Sequence, residues 1–347
     1  MAKVYHQSPQ GRGRLSLVSC GSGRSFAERI QDSLATIIQE ATGTRANFLR
    51  DSKEIEFANG EYKTVINENI RGDDVYVIQA MDDPNSDRSV NDNLMVLVTA
   101  LHAVQQSDAE KITAVIPQFP YSRQERKKTR EGITARLVSR FLEDAGADRV
   151  ITLDIHAQAI LGFFDRCTLE NLHASTVVIN YFKKHFSLDN LVVVAPDVGG
   201  ADMARYWSNR LGCQLAIVDK ARDYSRASVI ESMRVVGDVQ GRDVLMPDDM
   251  IATGGTLLNA CKQLKERGAR RIVLAASLPF FSGNAVELFD AKYKEGVFEA
   301  LIGTDAVPRG TEFQRSHPWY HEVSVAGLFA QVIFNINQKA SVSELLK

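Results

Sequence analysis

Four short apolar runs in this 347-residue chain each end abruptly in a cluster of polar residues. The four segments are AVIPQFPYSRQER, VITLDIHAQ, VVVAPDVGG and VLMPDDMIATGGT. Stretches with apolar residues at helical spacing separate such runs, an alternation typical of strand-helix-strand units that build parallel sheets covered on both faces. The sequence therefore predicts an α/β fold. Because ligands bind beyond the carboxyl ends of such strands, the four clusters are expected to share one site.

Two of these units can be followed residue by residue. The first is predicted from apolar residues at helical spacing, a closing glycine and a following strand: Leu137, Val138, Phe141, Leu142, Ala145, Gly146 and Val150 to Leu153. The second has the same order, with a strand, a helix and a further strand: Asp243 to Met246, then Leu257, Cys261, Leu264 and Gly268, then Ile272 to Leu274. Pro247 has no N–H to donate and is expected to end its strand.

The length favours two domains over one, because a single hydrophobic core seldom organises so many residues. The predicted boundary divides an N-terminal domain, residues 1–165, from a C-terminal domain, residues 166–347, where the strand-helix series restarts. The C-terminal helix is expected to pack back on the first domain.

Composition limits the partners. Apolar residues at 44% and charged residues at 24% are ordinary for globular chains. A net charge of −2 provides no broad positive field for nucleic acid, so small ligands are expected. No run of about eighteen uncharged apolar residues suggests a membrane span, and the cytoplasm is expected. The cysteines are far apart and are interpreted as ordinary reduced thiols: Cys20, Cys167, Cys213 and Cys261.

The segment VLMPDDMIATGGT, Val244 to Thr256, suits a phosphate group. Gly254 and Gly255 have no Cβ, so a phosphate can approach the backbone closely, and the helix start offers unpaired N–H donors. Thr253 and Thr256 add hydroxyl donors.

Two adjacent acids, Asp248 and Asp249, precede this turn. They would repel a phosphate, but they suit hydrogen bonds from vicinal sugar hydroxyls or a magnesium ion. A plain strand-turn-helix joint, with the acids capping a turn, is the alternative. The complete segment favours a sugar phosphate.

This segment resembles the ribose-phosphate-binding signature of the phosphoribosyltransferase fold. Further motifs, in order, are similar to those of ribose-phosphate diphosphokinases: NENIRGDDVYVIQA, NDNLMVLVTALHAV, KITAVIPQFPYSRQER, DIHAQAILGFFD, APDVGG, VGDVQGRDV and FSGNA. The resemblance runs from about Leu15 to the C-terminus. It implies two phosphoribosyltransferase-like domains, each a mainly parallel sheet flanked by helices. It also implies transfer of the diphosphate of MgATP to ribose 5-phosphate, giving phosphoribosyl diphosphate and AMP.

The resemblance also implies site residues. ATP would be bound by two groups of residues, of which the first, an adenine-site turn, reaches a neighbouring subunit's pocket: Phe57, Asn59 and Glu61, then Arg123, Gln124 and Glu125. His156 and Asp197 match positions that hold Mg²⁺. Lys220 and Arg222 match a catalytic pair that stabilises the migrating diphosphoryl group. Ribose 5-phosphate would be bound by the loop already described: Asp248, Asp249, Thr253, Gly254, Gly255 and Thr256.

Taken alone, several of these motifs have ordinary explanations. The hairpin around Phe57 could be a surface turn with a packed ring, RQERKK a solvated basic loop, and His156 a structural hydrogen-bonding residue. The family resemblance also implies a homo-oligomer, often a hexamer, with ATP sites completed across a subunit interface.

The sequence departs from the family pattern in several places. Ala252 replaces the usual Asp before Thr-Gly-Gly-Thr, Asn59 and Glu125 each replace an Asp, and the segment Lys127 to Gly132 is short where the family has an allosteric loop. Lowered rate, altered metal use and altered feedback control are the expected effects. Two alternatives stay open: a catalytically silent regulatory subunit and a phosphoribosyltransferase.

Overall fold

A computed structural model of the protein describes residues 12–222 and 230–343, without the side chains of 220–222 and 230–233. Its strands are β1 (Leu15–Ser19), β2 (Ser52–Glu56), β3 (Tyr62–Ile66), β4 (Asp74–Ile78), β5 (Lys111–Val115), β6 (Arg149–Leu153), β7 (Thr168–Leu172), β8 (Leu191–Ala195), β9 (Gln214–Arg222), β10 (Ile230–Val236), β11 (Asp243–Ile251), β12 (Arg271–Pro279), β13 (Ala300–Thr304) and β14 (Tyr320–Val323). Its α-helices are α1 (Arg24–Thr42), α2 (Val90–Gln106), α3 (Thr134–Asp144), α4 (Ser175–His185), α5 (Ala201–Leu211), α6 (Gly255–Glu266), α7 (Ala285–Lys294), α8 (Gly310–Ser316) and α9 (Ala326–Asn337).

The chain divides into two units. The first contains the described residues up to His173, the segment Asp305–Pro308 and the described residues from Ser324 onward. Its main sheet is parallel, in the order β1-β4-β5-β6-β7, and β2 and β3 pair as a separate antiparallel hairpin. Apolar side chains from α2, α3 and the strands form its core. This is the expected architecture, because parallel strands buried on both faces need apolar helices against them.

The second unit contains residues Ala174–Thr304 and Arg309–Val323. Its sheet has the order β10-β9-β8-β11-β12-β13-β14, and its pairs are parallel apart from β9 with β10. The core combines the strands with the apolar face of α6 and a group of packed rings that includes Phe281, Phe289 and Trp319. The prediction of an α/β fold with mainly parallel sheets is confirmed.

The last helix, α9, belongs to the first unit. The rings of Phe26 on α1 and Phe329 on α9 meet edge to face at 5.2 Å between centroids. At the far end of α9, the Asn337 side chain donates to Asp74 (3.0 Å), a buried carboxylate that also accepts the Tyr76 hydroxyl (2.9 Å). Residues from both ends of the sequence therefore build one core.

The two helix-and-strand segments that the sequence predicts in detail are present, with differences in the burial of some side chains and in the length of one strand. Helix α3 precedes β6 as predicted, and Val138 and Leu142 are buried, but Leu137 and Phe141 are largely exposed. The apolar face of α3 is wider than its contact with the sheet, so some of its apolar side chains stay exposed. Helix α6 buries all three predicted residues, Leu257, Cys261 and Leu264.

The predicted end of β11 at Pro247 is wrong, because the strand continues to Ile251 and includes both acids. Pairing of β11 with β8 stops at Leu245, whereas pairing with β12 continues through Pro247 opposite Ala275. Pro247 therefore lies where one neighbour is already missing, and its absent N–H breaks no bond of the ladder on that side.

Candidate functional site

The turn between β11 and α6 has a backbone that only glycine accepts readily. Gly254 has φ +72°, and a Cβ at this position would lie 2.2 Å from Cε2 of Phe289. Gly255, which starts α6, has open space where its Cβ would be. The N-cap residue of α6 is Gly254, which has no side chain to bind the first N–H groups of the helix. The local geometry is that of an anion-binding helix start.

The neighbouring residues of this turn face solvent. Thr253 and Thr256 are exposed. Ala252, which occupies the position of the expected carboxylate, is half-buried, and its carbonyl accepts the N–H of Ser282 (2.9 Å). The turn is therefore fixed from behind by backbone contacts, and its hydroxyl groups are free to meet a ligand from the front.

Asp248 lies close to two other acids of the second unit. Burial, followed by the neighbouring charges of Asp249 and Asp197, raises the pKa of Asp248 to about 8. Asp248 also accepts the backbone N–H of Asp249 (2.9 Å), and Asp197 accepts the N–H of Gly200 (3.1 Å). Asp249 and Asp197, two other predicted residues, are therefore close enough for their charges to act on Asp248, and hydroxyl donors or a cation would favour its ionised form.

The predicted catalytic pair is described only in its backbone. Lys220 and Arg222 lie at the end of β9, paired in antiparallel register with Met233 and Ile230 of β10. Their side chains lie outside the described residues.

In the first unit, the motif predicted to bind ATP follows β5. Tyr121 has φ +58°, and its carbonyl accepts the N–H of Gln124 (2.9 Å), which closes a tight turn. Arg123 and Gln124 are exposed, and Glu125 is half-buried and paired with Arg126 (3.2 Å). The turn therefore presents a guanidinium and an amide to solvent. These groups suit the phosphate and the base of a nucleotide.

A buried glutamine lies just before this turn, and the sequence reasoning did not identify it. Gln118 accepts the N–H of Met81 (2.7 Å), and its amide donates to the carbonyls of Asp82 (3.2 Å) and Ala306. Its partners lie in two other segments of the first unit, so no local motif could have indicated the role.

The predicted adenine turn is the tip of the β2-β3 hairpin. The Phe57 N–H donates to the Glu61 carbonyl (2.9 Å), and the Asn59 side chain accepts the Glu61 N–H (3.3 Å). Gly60 has φ +85°, as a tight hairpin needs. The Phe57 side chain is 46% exposed, so a packed ring, the ordinary explanation of this turn, does not apply.

His156 is exposed just beyond β6. Asp154, two residues earlier, has φ +40° and is held by His173 on the far side of β7, with Nδ1 2.7 Å from the carboxylate. The hydrogen bond that His173 makes to the Asp154 carboxylate raises the pKa of His173. The sequence reasoning missed His173, because nothing in the local sequence marks it as a partner of Asp154.

Other structural features bear on the proposed ligands. Among the described residues, no group of three or more His, Cys, Asp or Glu is arranged to hold a metal ion. The described helices include none that is both long and apolar enough to span a membrane. All four cysteines are free thiols, and burial raises the pKa of Cys167 and of Cys261 to about 12.

Comparison with known proteins gives concordant results. A family model described as the N-terminal domain of ribose phosphate pyrophosphokinase matches residues 15–146, and a phosphoribosyl transferase domain model matches residues 169–313. A ribose-phosphate pyrophosphokinase of Chlorobaculum tepidum is 42% identical over 320 residues, which covers 92% of this chain and 93% of that protein. One from Vibrio parahaemolyticus is 40% identical over 323 residues, with 92% and 95% coverage. The crystal structure of phosphoribosylpyrophosphate synthetase from Mycobacterium smegmatis has a TM-score of 0.81 at 31% identity and covers 94% of this chain and 100% of that one.

Proposed function

The chain belongs to the ribose-phosphate pyrophosphokinase family, and from this premise we propose how its residues carry out the family's reaction. The enzyme transfers the β,γ-diphosphate of ATP to the anomeric hydroxyl of ribose 5-phosphate. A bond forms between that oxygen and the β-phosphorus, the bond from the β-phosphorus to the AMP oxygen breaks, and the hydroxyl proton is released. Catalysis of such a transfer consists mainly of positioning and charge neutralisation.

Ribose 5-phosphate binds, on this proposal, at the β11-α6 turn. The 5-phosphate accepts N–H groups at the start of α6 and the hydroxyls of Thr253 and Thr256. Asp248 and Asp249 accept hydrogen bonds from the ribose hydroxyls. The observation that carries the proposal is the glycine at φ +72° in the turn that follows the adjacent acids Asp248 and Asp249, since one sugar phosphate suits both.

Mg²⁺ fits the chemistry of these residues. Burial, followed by the charges of Asp249 and Asp197, raises the pKa of Asp248, and a nearby cation would favour its ionised form. Because Mg²⁺ usually combines one or two carboxylates with substrate phosphates and water, a site of few protein ligands is sufficient. His156 and Asp197 are the proposed protein ligands. When bound, the ion would neutralise charge on the nucleotide phosphates.

ATP, on this proposal, is bound by residues of the two surface turns of the first unit. Arg123 binds phosphate oxygens, Gln124 and Glu125 contact the nucleotide, and the Phe57–Glu61 turn binds adenine by stacking and hydrogen bonds. Lys220 and Arg222 stabilise the charge that spreads over the transferring diphosphoryl group.

The deciding experiment incubates the protein with MgATP and ribose 5-phosphate and measures AMP and phosphoribosyl diphosphate. Equal amounts of both products are expected from the wild type. Lys220→Ala should lower kcat by at least about a hundredfold, because one cation is lost from the transition state. Lys262→Ala, on the exposed side of α6, serves as the control and should keep wild-type activity. Failure of the wild type to form either product, with ribose 5-phosphate still bound, would favour a silent regulatory subunit.

Two arginines of the same loop provide a matched test of the ATP contacts. Arg123 and Arg126 are both exposed, but only Arg123 belongs to the proposed contacts. Arg123→Ala is expected to raise the KM for ATP about tenfold, and Arg126→Ala should change it less than twofold. Equal effects of the two substitutions would count against a specific role for Arg123.

Ala252→Asp tests the departure from the family pattern. The substitution adds a carboxylate beside Asp248 and Asp249, which would supply a further acceptor for ribose hydroxyls or metal. The expected result is a severalfold higher kcat at saturating Mg²⁺, measured by the same product assay. A lower kcat at every Mg²⁺ concentration would indicate that this turn is adapted to alanine.

The proposal also covers the cellular compartment and the oligomeric state of the protein. Four free cysteines suit a reducing compartment, and we propose the cytoplasm. We also propose a homo-oligomer, a hexamer or its dimer building block, because exposed Leu137 and Phe141 on α3 provide apolar surface that a second copy would cover. Light scattering on the purified protein measures the mass and decides between these forms and a monomer.

A further inference from the structure

The β2-β3 hairpin carries the Phe57–Glu61 turn but takes no part in the five-stranded sheet. Something other than sheet hydrogen bonds must therefore fix its direction. Partly buried Tyr62 and Ile66 of β3 pack against the core of the first unit, but apolar contacts alone are not directional. The polar contacts at the base of the hairpin supply the missing constraint.

Those contacts converge on Arg88, in the loop before α2. Its Nη1 lies 2.6 Å from the Glu54 carboxylate, its Nη2 lies 3.4 Å from the Glu56 carboxylate, and its guanidinium lies over the Tyr62 ring at 4.8 Å. One side chain thus contacts both strands of the hairpin, through two charges of β2 and the aromatic face of β3. The Arg88 and Glu54 side chains are only 22% and 12% exposed, so solvent weakens this pair less than a surface pair.

Glu54 makes a second contact, with the loop after β1. Its other carboxylate oxygen accepts the N–H of Gly21, just before α1. A Cβ at residue 21 would lie 2.9 Å from Glu54 Oε2 and 3.1 Å from Arg88 Nη1. The absence of a side chain at Gly21 is what lets the ion pair sit against the backbone of this loop.

We propose that Arg88, Glu54 and Gly21 form a clamp that positions the Phe57–Glu61 turn for the adenine of ATP. The three are positioning residues, because none of them needs to touch the nucleotide. The inference rests on the proposed ATP-binding role of that turn. It extends the proposed function, since it makes nucleotide affinity depend on residues outside the motifs of the sequence.

The first test compares two partly buried ion pairs of the first unit. Arg88→Met removes the clamp, whereas Arg149→Met breaks the Arg149–Glu170 pair on β6 and β7, whose side chains are similarly covered (15% and 25% exposed). Arg88→Met is expected to raise the KM for ATP about tenfold and to leave the KM for ribose 5-phosphate within twofold. Arg149→Met should change neither KM selectively. A parallel change in both KM values, or equal effects of the two variants, overturns the proposal.

The second test uses a substitution that a folded protein should tolerate. Gly21→Ala displaces only the ends of the Glu54 and Arg88 side chains, and Gly327→Ala on α9, where a Cβ meets nothing, is the control. Gly21→Ala is expected to raise the KM for ATP at least about threefold without lowering the melting temperature by more than the control does. If Arg88→Met fails to fold, Gly21→Ala and Arg88→Lys decide the matter with the same measurements.

Amide hydrogen exchange of residues 52–66 separates this inference from the proposed function, because it needs no turnover. Faster exchange in this hairpin, together with weaker binding of ATP by equilibrium dialysis, supports the clamp even if no product forms. Unchanged exchange in Arg88→Met means that the clamp does not hold the hairpin. Faster exchange with unchanged ATP binding means that the turn does not contact ATP. Each of the last two outcomes overturns the proposal.

Discussion

At the scale of single residues, Asp248 has an unusual protonation equilibrium. Burial, followed by the charges of Asp249 and Asp197, raises its pKa to about 8, so the ligand-free protein holds this carboxyl largely protonated near neutral pH. A bound cation or a set of ribose hydroxyls favours the ionised form and releases the proton. Ligand binding at this turn should therefore be linked to pH.

The stability of the ligand-free protein should reflect this pKa. A raised folded-state pKa gives a stabilising contribution that is complete below about pH 4 and is lost as pH rises towards 8. Asp248→Asn removes this titration. As pH rises from 5 to 8, the free energy of unfolding of the variant should therefore increase relative to that of the wild type. Urea unfolding without Mg²⁺ measures the difference, with Asp238→Asn, an exposed acid of the same unit, as control. A difference that is constant with pH would contradict the pKa.

How far single residues could be predicted depends on how local their partners are. The acid pair and the TGGT turn lie within one short segment, so the sequence alone indicated their chemistry. Arg88 and Glu54 are 34 positions apart, and His173 and Asp154 are 19 apart. Gln118 and its partner Ala306 are 188 apart. These contacts exist only after folding, and a single sequence does not contain the pairing.

At the scale of elements, the start of α6 combines two adjacent glycines with different requirements. Gly254 has a positive φ, and a Cβ at this position would clash with Phe289, whereas neither constraint applies to Gly255. Gly254→Ala is expected to lower the free energy of unfolding by at least about 2 kcal/mol, because backbone strain adds to a steric clash. Gly255→Ala should change the free energy of unfolding by less than about 1 kcal/mol, in either direction. Chemical denaturation of the two variants measures both values, and equal losses would show that the turn rearranges.

Ion pairs join the N-terminal ends of the paired strands β11 and β12. Buried Asp243 accepts hydrogen bonds from Arg270 (2.7 Å) and Arg271 (2.6 Å). Burial would raise the pKa of Asp243, but these two arginines outweigh it, and the pKa lies below its ordinary value.

Asp243→Asn should therefore lower the free energy of unfolding by about 1–3 kcal/mol at pH 7. Because a lowered pKa gives stability that is lost as pH falls through the folded-state value, the gap between variant and wild type should close below about pH 4. Urea unfolding at pH 7 and pH 3.5 provides the measurement. A gap that widens in acid would reverse the assigned direction of the pKa.

Elements were predicted well where periodicity and turn residues agreed, as for α3, β6 and α6. The prediction for β11 was wrong because Pro247 was expected to end the strand, whereas strand pairing on one side tolerates a missing N–H on the other. Burial of Leu137 and Phe141 also could not be predicted, since helical spacing defines an apolar face without defining how much of it the sheet covers.

At the scale of the whole molecule, the order of the core differs from the order of the sequence. Phe329, near the C-terminus, packs in the first unit against Phe26 and is fully buried. Phe329→Ala should lower the stability of the first unit by about 3–5 kcal/mol through lost apolar burial and a cavity. Hydrogen exchange should show faster exchange in β1 and β4, with β8 and β12 unchanged. Equal acceleration in all four strands would indicate that the two units unfold together.

The position of α9 also affects how the protein is made. The ribosome releases the N-terminal strands first, yet the helix that covers α1 and binds Asp74 is among the last segments synthesised. Domains generally fold as their residues emerge, and incomplete cores expose apolar surface. The first unit must therefore wait for the end of translation, with the apolar face of α1 uncovered until then, although all strands of its main sheet are made before the second unit begins.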